Sequence, residues 1–299
     1  MSSQKSSVFS VLPFLVLPPL FWAGNFAVGR AIRDDIAPFT LSFGRWLIAL
    51  LILLPFVIHY MRRDWTLYKQ HMSKIIAVSI VGVAAFNTLV YKGLHSTTTT
   101  NAILLNSCIP VLIVIIGALF YRQKLRLTQC LGLMISLAGV LTIVLHGDWS
   151  RLVSLSFNPG DVIVFMAMIC WALYTLWMKD IPTNIDRRGL MGMQIILGLI
   201  ALAPLFIWEI NQADTHSSWN QNALFALAYV GIFPSVAAYL LYTMAVQKVG
   251  ALRAGLSIHL MPLFGVLISV FILGESFQSY HAIGIIAIAM GLVLSNRGN

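Results

Sequence analysis

The chain has 299 residues, 59% of them hydrophobic and only 10% charged, with a mean hydropathy of +0.86. A soluble domain carries about 25% charged residues, so the composition excludes one and points to a helical integral membrane protein. The formal charge of +9 would suggest nucleic acid in a soluble protein; here the bases fall between apolar runs, where they act as topology signals, and no nucleic-acid partner is expected.

The apolar runs are about 20 residues long, the length of helix that crosses a ~30 Å hydrocarbon core. They lack the period-two alternation of a membrane barrel. In chain order the predicted spans are Val11–Ala31, Phe39–Tyr60, Lys74–Leu94, Thr98–Tyr121, Thr128–His146, Gly160–Lys179, Leu190–Trp208, Ala223–Gln247, Leu252–Leu273 and Tyr280–Ser295. The first run is expected to remain as a span, because Pro18, Pro19, Trp22 and Asn25 follow it without a small-residue cleavage site. The polar loops are short, the longest being Met61–Ser73, Gly147–Pro159 and Glu209–Asn222, and none can hold an extramembrane domain. Cys108, Cys130 and Cys170 lie inside apolar runs and read as packing residues, with no disulfide and no metal site.

Lys and Arg alternate between the two sides. One side holds Lys5, the cluster from Arg62 to Lys74, Arg122 with Lys124 and Arg126, Lys179 with Arg187 and Arg188, Lys248 with Arg253, and Arg297; the other holds Arg30, Arg33, Lys92 and Arg151. This bias puts both termini in the cytoplasm and requires an even number of spans.

The chain also repeats itself. Pro110 pairs with Pro262, Gly132 with Gly284 and Gly139 with Gly291 at a shift of 152 residues, and Trp22-Ala23 with Trp171-Ala172 and Pro55 with Pro204 at a shift of 149. The boundary falls near residue 150, giving halves 1–150 and 151–299. Each half holds five spans, an odd number, so the second must enter the bilayer from the opposite face. That is the architecture of two inverted repeats and of alternating access. It also explains why the edge after Tyr121 carries Arg122 and Lys124 while the matching edge after Leu273 carries Glu275.

Several stretches, FWAGNFAVGR (Phe21–Arg30), FGRWLIALLILLP (Phe43–Pro55), the span with Pro110, Gly132 with Gly139, and MPLFGVLISVFILGES (Met261–Ser276) followed by Gly284 and Gly291, resemble the EamA-type carriers of the drug/metabolite transporter superfamily. Overall similarity is greatest to the YddG-type exporters of aromatic amino acids in bacterial inner membranes. Gln123 departs from the pattern, standing where the second copy has the family-like Glu275. The resemblance implies ten helices around a central cavity, lined by the third, fourth, eighth and ninth, with the first and sixth nearby.

Polar side chains in hydrocarbon are costly and mark candidate sites. They are Trp22 and Asn25 on the first span, Asn87 and Tyr91 on the third, Asn101 and Asn106 on the fourth, Trp171 and Tyr174 on the sixth, Tyr239 and Tyr242 on the eighth, and Ser257 and His259 on the ninth. Taken singly, each reads at least as well as an interhelical hydrogen bond or an interfacial anchor. Together they suit an apolar slot for a flat solute with no net charge. Glu275 and His259 are candidate proton carriers, and Pro110 and Pro262 are candidate hinges or static kinks. Arg45, about 9 Å inside the second span at 1.5 Å per residue, either snorkels or binds a carbonyl or carboxylate.

No P-loop, H-E-x-x-H or G-x-S-x-G motif is present. An inner-membrane carrier exporting aromatic or other large apolar amino acids is therefore expected, working as a monomer or weak dimer in the lipid bilayer without a cofactor. The alternatives are a carrier of other metabolites or of drug-like organic cations and, more remotely, an intramembrane enzyme or a scaffold.

Overall fold

A computed structural model describes residues 8–123, 126–153, 158–212, 217–273 and 276–296. Among the described residues, nine helices are long and apolar enough to cross a membrane, and a shorter apolar helix, Ser279–Ser295, takes the tenth place. Helix starts follow local rules. Asn158 and Asp161 form a capping box ahead of the sixth span with Pro159 in the first turn, Thr98 accepts from the Asn101 N–H, and Asn220 accepts from the Ala223 N–H. These caps satisfy N–H groups that the helix itself leaves free.

The second span (Pro38–Arg63) and the seventh (Arg187–Ile210) are continuous through Pro55 and Pro204. Four others are broken, in two matched pairs. The third and eighth each contain a π-helical stretch, Ser79–Ala85 and Gly231–Ala237, at the same place in the two repeats. The fourth is split into Thr99–Asn106 and Ile109–Tyr121, and the ninth into Ala251–Ser257 and Leu260–Leu273. Pro110 and Pro262 lie in the first turn after each split. A missing N–H costs nothing there and the fixed φ suits a helix start. Both prolines thus open new helices rather than kink old ones.

The halves are inverted. A Cβ on Gly132 would lie 2.5 Å from the Gly291 carbonyl oxygen, and one on Gly139 would lie 2.7 Å from that of Gly284. As the number rises along the fifth span it falls along the tenth, so the two run antiparallel. The small-residue faces pack within one chain. The second and seventh spans pair likewise and cap each other. Glu209 accepts from the Phe39 and Thr40 N–H groups at 3.1 and 2.6 Å, and Asp64 accepts from the Asp186 N–H at 2.8 Å.

Residues related by the repeat meet one another at the centre. The Trp22 and Trp171 rings sit 5.0 Å apart at 85°. Asn87 donates to the Tyr239 hydroxyl at 2.7 Å, and His259 Nε2 donates to the Ser107 carbonyl at 3.0 Å. A residue can touch its own counterpart only beside the pseudo-two-fold axis, so these three pairs trace that axis through the core.

Candidate functional site: a cavity on the pseudo-two-fold axis

The π-helical stretches free backbone carbonyls, and aromatic side chains take them up. Tyr239 donates to Gly82 O at 2.8 Å, Trp22 Nε1 to Pro234 O at 3.0 Å, and Trp46 Nε1 to Val83 O at 2.9 Å. Gly82 and Pro234 are repeat counterparts. Local unwinding of this kind recurs at functional sites. It fixes the three rings that stand around the axis, with Tyr239 edge-on to Trp171 at 5.0 Å and to Trp46 at 4.9 Å. Gly82 has to be glycine, because a Cβ would lie 2.2 Å from the Tyr174 ring.

Between the rings lies a cavity of about 20 Å³, lined by Trp22, Asn25, Phe26, Phe86, Asn87, Asn106, Ile109, Trp171, Ile258 and Met261. One water needs roughly 10–15 Å³, so the cavity has room for about one water in this state. It sits at the two helix breaks: Asn106 and Ile109 flank the first, Ile258 lies in the second and Met261 just after it.

Five of the sequence-predicted site residues line this cavity: Trp22, Asn25, Asn87, Asn106 and Trp171. Tyr239 stands directly behind it, bonded to Asn87. Tyr91 donates to Asn25 Oδ1 at 3.0 Å one layer further out. Tyr242 shares a 3.0 Å hydrogen bond with Thr175, and the Tyr174 hydroxyl is buried with no partner among the described residues. Asn101 bonds the Asp161 carboxylate at 3.2 Å, where the fourth span meets the start of the sixth. Ser257 bonds back to Ala254 O at 2.7 Å within its own helix. Glu275 lies outside the described residues.

His259 is fully buried and away from the cavity lining. Its Nε2 faces a carbonyl and must donate; its Nδ1 lies 2.8 Å from Ser136 Oγ. Ser136 Oγ also lies 3.0 Å from Leu133 O, so the hydroxyl sits between a carbonyl of its own helix and the ring nitrogen. The histidine thereby ties the break in the fourth span, the break in the ninth and the fifth span into one unit.

Sequence reasoning placed Arg45 outside the main cluster. The structure puts it at the hub. Its side chain is 0% exposed. Nε donates to Ser235 Oγ at 2.7 Å, and NH1 faces Asn87 Oδ1 at 2.7 Å, Asn25 Oδ1 at 3.3 Å and the Tyr91 hydroxyl. Three other spans thus converge on one guanidinium of the second. The only sequence signal was its depth within the second span.

The profile of the EamA-like transporter family matches residues 9–145 and matches again over residues 158–297. The chain belongs to the EamA-like transporter family. The double match coincides with the two inverted halves. Curated relatives include the uncharacterized transporter YetK of Bacillus subtilis, 27% identical over 90% of this chain and 81% of its own length. An uncharacterized transporter of Archaeoglobus fulgidus is 26% identical over 94% and 95%. A solved crystal structure aligns with a TM-score of 0.74 and 17% identity over 97% of this chain and 98% of its own, which shows a shared fold. This EamA-like transporter is a multi-pass membrane protein, and the axial cavity is its candidate solute site.

Proposed function

We infer that this transporter carries an amino acid with a large apolar or aromatic side chain out of the cytoplasm by alternating access, with residues 1–150 and 151–299 as the exchanging halves and both termini cytoplasmic in a bacterial inner membrane. The observation that carries this reading is the axial cavity, walled by Trp22, Trp171 and Phe86 and edged by Asn25, Asn87 and Asn106. Flat rings suit an aromatic side chain, worth about 0.5–1.5 kcal/mol per pair beyond burial. Amides suit an ammonium or carboxylate.

A difference between the two ends supports alternation. A crevice of about 310 Å³ at the basic end is lined by Ser73, Lys74, Ala77, Tyr121, Trp177 and Asp180. The repeat counterpart of Ala77 is Tyr229. That side chain lies against the first span, where its hydroxyl donates to Phe21 O at 2.9 Å and its ring closes on Gly24. Alanine at one place and a bulky tyrosine at the matching place make the two ends unlike, as expected of one member of a pair of states that an inverted repeat can exchange.

The test is transport in proteoliposomes. Wild-type protein should move labelled phenylalanine saturably, and Trp171→Ala and Tyr239→Ala should raise KM for phenylalanine more than for threonine. Equal losses for both solutes would assign these rings to structure alone. Robust transport of an unrelated organic anion without any aromatic amino acid would overturn the substrate class.

A further inference from the structure

Arg45 is a buried cation with no anion beside it among the described residues. Arginine stays protonated inside proteins, and several kcal/mol oppose leaving such a charge in a low-dielectric interior without compensation. Every acceptor that Arg45 has is neutral: a serine hydroxyl, two amide oxygens and a phenol. Among the described residues no carboxylate pairs with it; the ion pairs present all involve Arg33, Arg63, Arg151 and Arg188. NH2 is buried with no partner among the described residues, so one end of the fork has two N–H donors unused there. The repeat counterpart of Arg45 is Gln194. The charge therefore belongs to one half only and is not a requirement of the fold.

Its position ties it to the cavity. Asn25 and Asn87 line the cavity, and their Oδ1 atoms are the acceptors that hold NH1. The guanidinium thus lies one amide behind the cavity wall, and rotation of either amide uncovers it. The Trp46 and Tyr91 rings lie 5.2 and 5.6 Å from Cζ, so the cation has aromatic walls and little water. A planar fork in such a setting matches a carboxylate, and an intramembrane ion of this kind marks a solute pathway.

We propose that Arg45 is the carboxylate subsite of this transporter: the solute's carboxylate takes the free NH2 edge while its apolar part lies in the axial cavity, against the Trp22–Trp171 pair. The assignment deepens the amino-acid reading and rests on it for the apolar part. The carboxylate requirement stands separately.

The experiment compares three labelled probes of one ring type in proteoliposomes: phenylalanine, 3-phenylpropionate, which lacks the ammonium, and phenethylamine, which lacks the carboxylate. Arg45→Gln should raise KM at least tenfold for the two carboxylates and leave any phenethylamine flux within twofold. Asn87→Asp guards against misfolding of that variant. It places a carboxylate within reach of NH1 while giving up the Nδ2 donation to Tyr239, so its thermal stability in detergent should stay close to wild type and transport of both carboxylates should still be abolished. Unchanged KM in Arg45→Gln, or full carboxylate transport by a folded Asn87→Asp protein, overturns the subsite. Equal loss of phenethylamine and phenylalanine overturns it too, because a missing charge discriminates and a damaged fold does not. If no aromatic amino acid is carried but another organic carboxylate is, and Arg45→Gln weakens it, the amino-acid reading falls and the subsite stands. If wild-type protein carries only amines, both fall.

Discussion

Alanine at Gly132 tests the crossing that joins the two repeats. A Cβ there would lie 2.5 Å from Gly291 O, 2.7 Å from Ser295 N and 2.9 Å from Ser295 Cβ. A carbon and a carbonyl oxygen sit comfortably at about 3.3 Å, so the fifth and tenth helices must part by roughly 0.8 Å. The two nearest obstructing atoms are backbone and cannot rotate away. Overpacking of this kind costs about 1–3 kcal/mol, and the hard contact favours the upper end; the gain in helix propensity returns about 1 kcal/mol. The expected net loss is about 2 kcal/mol. Gly265→Ala is the control, because nothing lies within 4 Å of its Cβ, and it should be neutral or stabilised by up to about 1 kcal/mol. Gly291→Ala strains the same crossing from the other side, with Gly132 O at 2.5 Å. The double variant should therefore lose less than the sum of the singles, since one separation relieves both contacts. Unfolding titrations in mixed micelles measure these differences. A Gly132→Ala protein as stable as Gly265→Ala would refute the close crossing.

Pro110→Ala and Pro262→Ala restore an N–H where each broken span restarts, which allows the two pieces to join. Turnover should fall severalfold with KM within twofold, and unchanged turnover in both would reduce the prolines to packing. At the basic end, the hydrogen bond from Arg63 holds the Asp64 carboxyl below its ordinary range, and the bond from Arg188 does the same for Asp186. Folding thus favours the charged forms. That stability is complete above the unfolded aspartate range near 3.8 and is lost as pH falls below it. Asp64→Asn should flatten the acid limb of a stability-against-pH curve, and an unaltered limb would remove these caps from the account.

Much of the fold was legible because the repeat preserves residues with backbone consequences. Pro110 and Pro262 open the second pieces of matched broken spans, and the glycines at 132, 139, 284 and 291 meet across one crossing. The π-helical turns were not legible. SIVGVAA in the third span has no proline or polar break, and only its alignment with GIFPSVA in the eighth marks it. The polar residues separated for a similar reason. Spacing puts Asn87 and Tyr91 on one helical face, but which neighbour that face meets depends on tertiary packing. Asn101 faces Asp161 and Ser257 its own helix, so neither side chain reaches the axial cavity. Arg45 was readable as deep but not as central, because its four partners come from the first, third and eighth spans.

Counterflow tests the account most directly. Proteoliposomes preloaded with unlabelled phenylalanine should accumulate labelled phenylalanine transiently and faster than empty ones, with saturable kinetics, because one axial site exposed alternately to each side exchanges solute faster than it returns empty. Uptake that rises linearly with concentration and ignores the internal solute would contradict alternating access through this cavity.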